Sequence, residues 1–188
     1  MKKVTKKFLE YLTNRSACEE GVTFAERYET PQKAWDACEN SNWMFWLLRK
    51  SLPNPTHEQH KSLVGIACDA ARLSLPAVKF GELRPLRAIE AAEAWMCGRA
   101  TKKIVAAAAK AATCTADATD AACVAAHASY AAVHAASACA HASDSAAHAA
   151  FAADAASAYK SDVAVQKQIA NIIRRYFPDV VLIEATKK

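Results

Sequence analysis

From Ile104 to Tyr159 the chain runs 56 residues without a glycine or proline, and about half of them are alanine. The alanines keep a seven-residue register. Ala107, Ala121, Ala128, Ala135, Ala142, Ala149 and Ala156 form one row, broken by Cys114, and Ala111, Ala118, Ala125, Ala132, Ala146 and Ala153 form another, broken by Cys139. The rows alternate at spacings of four and three, the period of a coiled-coil seam. Alanine has the best intrinsic helix propensity, so the segment can be helical with little tertiary help. Unbroken, it would be about 84 Å long at 1.5 Å per residue, whereas a globule of this chain length has a radius of gyration of about 16 Å. The segment therefore folds back as a close antiparallel hairpin or projects as an extended arm. Side chains that compete for backbone hydrogen bonds in 113–120 favour a turn there, with helices over about 101–114 and 118–160. Small seam residues bury little area, but they let two helix axes approach closely. The partner helix would lie in this chain or in a second copy, as a homo-oligomer through the Ala seam.

The rest of the chain is punctuated as short helices. A first is expected over 6–13. Ser16 stands three before Glu19, a capping-box spacing that opens a second, and Thr30-Pro31 opens a third. Ser41-Asn42 starts a fourth, which crowds Trp43, Phe45, Trp46, Leu47 and Leu48 into the centre of an N-terminal core. Trp35, Trp43 and Trp46 could also line an aromatic ligand slot. Thr56 with Gln59 caps a helix to about Leu75. Pro85 begins one that Gly98 ends, and Ile169, Ile172, Ile173 and Tyr176 give the last helix its apolar face. The fold class is all-α: a helical bundle treated as a single domain over 1–188, with a Trp-rich core (1–98), long Ala-rich helices and a C-terminal helix (99–178), and a tail (179–188). Within the tail, VVLIE has strand-like composition without an evident partner.

Charge divides unevenly. The net charge is +5, yet the Ala-rich segment has one Lys and four Asp. Lys2, Lys3, Lys6 and Lys7 make one basic cluster; Arg84, Arg87, Arg99, Lys102 and Lys103 make a second, interleaved with Glu82, Glu90 and Glu93. Such clusters are either solvated faces or seats for phosphate or an acidic partner. No nucleic-acid motif accompanies them. Seven scattered cysteines without a CxxC pair read as reduced, mostly buried thiols of a cytoplasmic protein. Neither a signal peptide nor a membrane span is expected.

Opposite the seam runs a polar stripe, Asp120, Cys123, His127, Tyr130, His134, Ser137, His141, Asp144, His148 and Phe151. Histidines seven apart lie about 10.5 Å apart along one helix, so no two of them share an ion without ligands from elsewhere. No metal or cofactor is expected. The stripe reads as imidazoles covering a helix flank, or as a partner-binding or pH-responsive ladder. There is no phosphate loop, HExxH or GxSxG, and nothing marks a nucleophile with an oriented base. The chain reads as non-catalytic.

WDACENSNWMFWLL, RPLRAIEAAEAWMCGRAT, the Ala-rich run and IANIIRRYFP together resemble the alanine-rich immunity protein domain family of bacteria and phages, from Cys18 to Pro178. The resemblance implies an all-helical cytosolic protein that neutralises a toxin by binding it, and no catalytic residues are carried over. A protein partner, a toxin or defence protein, is then expected at the stripe (His127, Tyr130, His134, His141, His148) or at the 84–103 segment. The alternatives are a small-molecule binder that sequesters a nucleotide-like ligand through Arg84, Arg87, Trp95 and Arg99, and a structural scaffold.

Overall fold

The computed structural model describes residues 6–78, 80–118, 134, 138, 147–153 and 163–182. These residues are helical or irregular, with no strand among them, and the fold is an all-α bundle. Short helices come first: α1 (Lys6–Asn14), α2 (Glu19–Ala25), α3 (Pro31–Ala37) and α4 (Ser41–Ser51). Longer ones follow: α5 (His57–Arg72), α6 (Arg84–Met96), α7 (Lys102–Ala118) and α8 (Val163–Tyr176), with helix also at 147–153.

Most boundaries follow local chemistry. The Thr30 hydroxyl accepts from the Lys33 N–H at 3.1 Å at the start of α3. Thr56 and Gln59 close a full capping box on α5. Gly98, at a φ of 71°, lets α6 end with Arg99 N–H bonded to the Ala94 carbonyl and Gly98 N–H to that of Trp95. Those two bonds are the Schellman pattern. Ser16 departs from expectation. It sits at a φ of 62°, and the N-cap of α2 is Cys18, with no side-chain cap bond. Asn40 rather than Ser41 caps α4, accepting from the N–H groups of Asn42 and Trp43. α5 ends at Arg72, and a 3₁₀ turn at Leu75–Ala77 precedes the loop into α6.

α5 and α8 form the centre. Phe45, Leu48, Leu63, Ile66, Ile169 and Ile173 are all buried to within 1 % exposure, each worth about 1.5–3 kcal/mol of transfer free energy. α8 packs across α4 and α5, α6 lies on α5, and α7 runs along α6. One buried cluster joins them, from Phe8 to Phe177. Arg72 on α5 grips Glu93 on α6 with two bonds of 2.8 Å, which raise the guanidinium pKa.

The Ala-rich segment departs from its expected register. α7 continues to Ala118, through most of the stretch 113–120 where a turn is expected, the last two residues of which lie outside the described ones. Its buried face carries Val105 and Ala112, while seam residues Ala107 and Ala111 are exposed. Val105, as the larger group, sets which side of the helix faces α6. Farther on, Ala149 and Ala153, one from each row, are buried with Ala152 in the common core. There the seam closes within the chain. The fully buried Ala138 has its carbonyl 2.7 Å from His60 Nε2 of α5, so at this point the segment lies on the core instead of projecting as an arm.

Candidate functional site

α1 to α4 and the C-terminal tail enclose a recess of about 320 Å³, near the lower end of the range for small-ligand pockets. Trp35, Trp43, Trp46, Phe8, Leu12 and Phe24 supply its bulk, and no charged side chain lines it. A cavity thus lies beside the three tryptophans, whose first expected role, as core, holds for the buried Trp35 while Trp43 and Trp46 are half-buried. Its walls are held firmly. Trp35 is buried, and its indole N–H donates to the Phe177 carbonyl at 2.9 Å. Phe24 tilts against Trp43 at 5.4 Å and against Tyr28 at 5.0 Å. The Cys38 thiol, also in the lining, is pushed up in pKa by burial and stays neutral.

The tail forms part of the rim. The Gln32 side chain accepts from the Val180 N–H at 2.8 Å and donates to the Pro178 carbonyl at 2.9 Å, holding 178–180 against α3 like one rung of a sheet. This is where the strand-like tail finds a partner, a side-chain amide rather than a strand. Arg174 donates to the Trp35 and Cys38 carbonyls at 3.1 and 2.6 Å, a cation at the C-terminal end of α3. On the other side of Phe24 and Trp43 lies a shallower recess with Glu19, Glu20 and Arg27.

The residues expected to hold a nucleotide are not brought together. Arg84 opens α6, exposed and paired with Glu82, whose carboxyl it holds down to about 2. Arg87 is exposed one turn on. Trp95 lies eleven residues beyond Arg84, about 16 Å along the helix, and Arg99 follows the C-cap. Trp95 is instead wedged between imidazoles, with His60 at 5.0 Å and His57 at 6.3 Å. Nothing in the sequence announced that pairing, because it joins α5 to α6.

Of the histidine ladder, His127, Tyr130 and His141 lie outside the described residues, as do Cys123 and Asp144. His134 and His148 do not share one straight helix. Their ring centroids are 5.8 Å apart, and His134 is 5.2 Å from Phe151. Fourteen residues of unbroken helix would separate them by about 21 Å. The single helix over 118–160 is corrected accordingly: the two imidazoles belong to different helical segments that face each other. Burial, then the neighbouring His148, lowers the pKa of His134; burial also lowers that of His60. Among the described residues no group of three His, Cys, Asp or Glu could hold a metal ion.

Cys18, Cys38, Cys68 and Cys97 are free; Cys38 and Cys68 are buried while Cys18 and Cys97 are exposed, so burial is less general than their spacing suggested. No described helix is long and apolar enough to cross a membrane. Compared with known proteins, the chain matches no protein-family model, no curated protein and no solved structure.

Proposed function

We propose that this chain is a non-catalytic, cytoplasmic binding protein of the immunity or counter-defence kind, which neutralises a partner protein by docking to it. The observation that carries the reading is the uncharged recess walled by Trp35, Trp43 and Trp46. Its size suits one bulky apolar side chain, and binding energy at protein interfaces concentrates where such an anchor fills a desolvated pocket. The resemblance to alanine-rich immunity proteins points to the same class of activity.

The test is co-expression with a candidate toxin, sought first among the products of the genes that flank this one. Wild-type protein should rescue growth and co-purify with that toxin, whereas Asn42→Arg, which sets a cation at the mouth of the recess, should do neither. Rescue undiminished by Asn42→Arg would count against the recess as the docking point. A second reading, capture of a free apolar small molecule, draws on the same volume and lack of charge. It predicts a compound released from denatured protein and no toxin in the complex. A nucleotide-like ligand is the weaker form of that reading, since Arg84 and Trp95 stand at opposite ends of α6.

A further inference from the structure

The most exposed large apolar side chain among the described residues is Phe80, with its full surface in solvent. It stands in the loop before α6, beside Gly81 at a φ of 88°, and Leu83 in the same loop is half exposed. A free phenyl ring forfeits most of the transfer free energy it could gain, about 1.5–3 kcal/mol, so a protruding Phe is costly unless something receives it. The same molecule carries a receptacle, the recess of about 320 Å³ with its uncharged lining. Charge fits as well. Arg84 at the base of the Phe80 loop is taken up by Glu82, which leaves the exposed Arg87 as the loop's cation, and the exposed Glu19 and Glu20 outnumber Arg27 in the shallower recess beyond Phe24 and Trp43.

We propose that Phe80 of one copy seats in the Trp-lined recess of a second copy, with Arg87 set toward Glu19 and Glu20. Such a contact joins two different patches; it either closes reciprocally in a two-fold pair, an isologous interface, or runs head to tail as a heterologous one. It rests on the reading of the recess as a dock for an apolar protein side chain, and names a second copy as one occupant. Self-association would then compete with any other partner for the site.

Sedimentation of the full chain against concentration tests this. Wild type should gain mass from monomer toward dimer or beyond, and Phe80→Ala should weaken that association roughly 10- to 100-fold. Phe80→Asp and Cys18→Trp, the latter filling the recess from its rim, should each be monomeric. Mixed, they should form a one-to-one pair and nothing larger, because only one intact knob and one intact recess remain. Asn42→Arg replaces Cys18→Trp if the latter folds poorly, since Asn42 is an exposed rim residue. A wild type that stays monomeric up to about 1 mM, the weak end of specific association, overturns the proposal; so does association that survives Phe80→Asp. Nile red, an uncharged apolar dye, separates the two levels. Dye bound by monomeric wild type and excluded by Asn42→Arg leaves the recess standing as a dock while self-occupancy falls. No dye binding and no association would remove both.

Discussion

The indole nitrogen of Trp35 and the carbonyl oxygen of Phe177 lie 2.9 Å apart across 142 positions of sequence. That bond ties Trp35, a wall of the recess and the first tryptophan of the N-terminal core, to the residue just past α8. Around it, Arg174 and Gln32 add further bonds between side chain and backbone: Arg174 donates to the Cys38 carbonyl, and Gln32 accepts from the Val180 N–H. The C-terminal segment is therefore a structural wall of the recess.

Trp35→Phe tests that wall. The substitution keeps most of the buried ring but leaves the Phe177 carbonyl without its donor. Stability should fall by about 1–3 kcal/mol, the cost of an unsatisfied buried group. In denaturant the midpoint should drop while the slope is unchanged. A midpoint equal to wild type would mean that the carbonyl is satisfied elsewhere.

Gly65 marks the closest approach of α5 and α8. A Cβ built there would stand 2.6 Å from Cζ and 2.7 Å from the hydroxyl oxygen of Tyr176. The ring cannot simply retreat, because its hydroxyl donates to Asp69 at 3.1 Å, and burial pushes the phenol pKa up to about 12. Gly65→Ala should therefore destabilise by about 1–3 kcal/mol despite the better helix propensity of alanine. Adding Tyr176→Leu should recover part of that loss. Two independent, additive effects in the double-mutant cycle would show that the two residues do not meet.

How much of this was legible in the sequence depended on the range of the cause. Thr56 with Gln59, Thr30 with Pro31, and Gly98 are local devices, and each acts where the sequence places it. The apolar spacing of Ile169, Ile172 and Ile173 likewise gives their burial directly. Ser16 does not cap α2 because it closes α1 instead: it is left-handed, with its N–H on the Thr13 carbonyl and the Ala17 N–H on that of Leu12, the Schellman pattern. In α7 the alanine rows gave the wrong face, since alanine is nearly indifferent to burial and a single valine, Val105, outweighs it. The number and size of the three tryptophans point first to a core and only secondarily to a slot, and both are found beside them. Gln32 and Phe80 carried no such signal, because their roles depend on what lies opposite them in space.

One buried imidazole, His60, and one half-buried, His134, should make the fold sensitive to mild acid. The pKa values of His60 and His134 are both lowered from 6.5, chiefly by burial, with Lys102 and His57 adding to the effect at His60 and His148 at His134. A histidine with a folded pKa below its unfolded value binds protons more readily when unfolded. Its contribution is fully present above about pH 6.5 and is lost as pH falls through that value toward the folded pKa. Melting followed by circular dichroism should thus give a lower midpoint at pH 5.5 than at pH 7.5, and His60→Gln should flatten part of the slope. Carboxylates act in a separate window, as the lowered pKa of Glu82, about 2, places its loss below pH 4.5.

The facing of His134 and Phe151 is the sharpest test of how the Ala-rich segment packs. Their ring centroids are 5.2 Å apart, whereas seventeen residues of one straight helix would hold them about 26 Å apart. Protein protonated only at histidine and phenylalanine rings should show a nuclear Overhauser contact between the two, identified by its loss in Phe151→Ala. Phe151 is half exposed, so that substitution should cost only about 1 kcal/mol, part of a full phenylalanine burial, and leave the fold intact for the comparison. Absence of the contact in wild type would restore the straight helix, and with it an arm that carries the histidines away from the core. Its presence at pH 7.5 and weakening at pH 5.5 would further tie the acid response to this pair, because two imidazolium groups at His134 and His148 would repel across 5.8 Å.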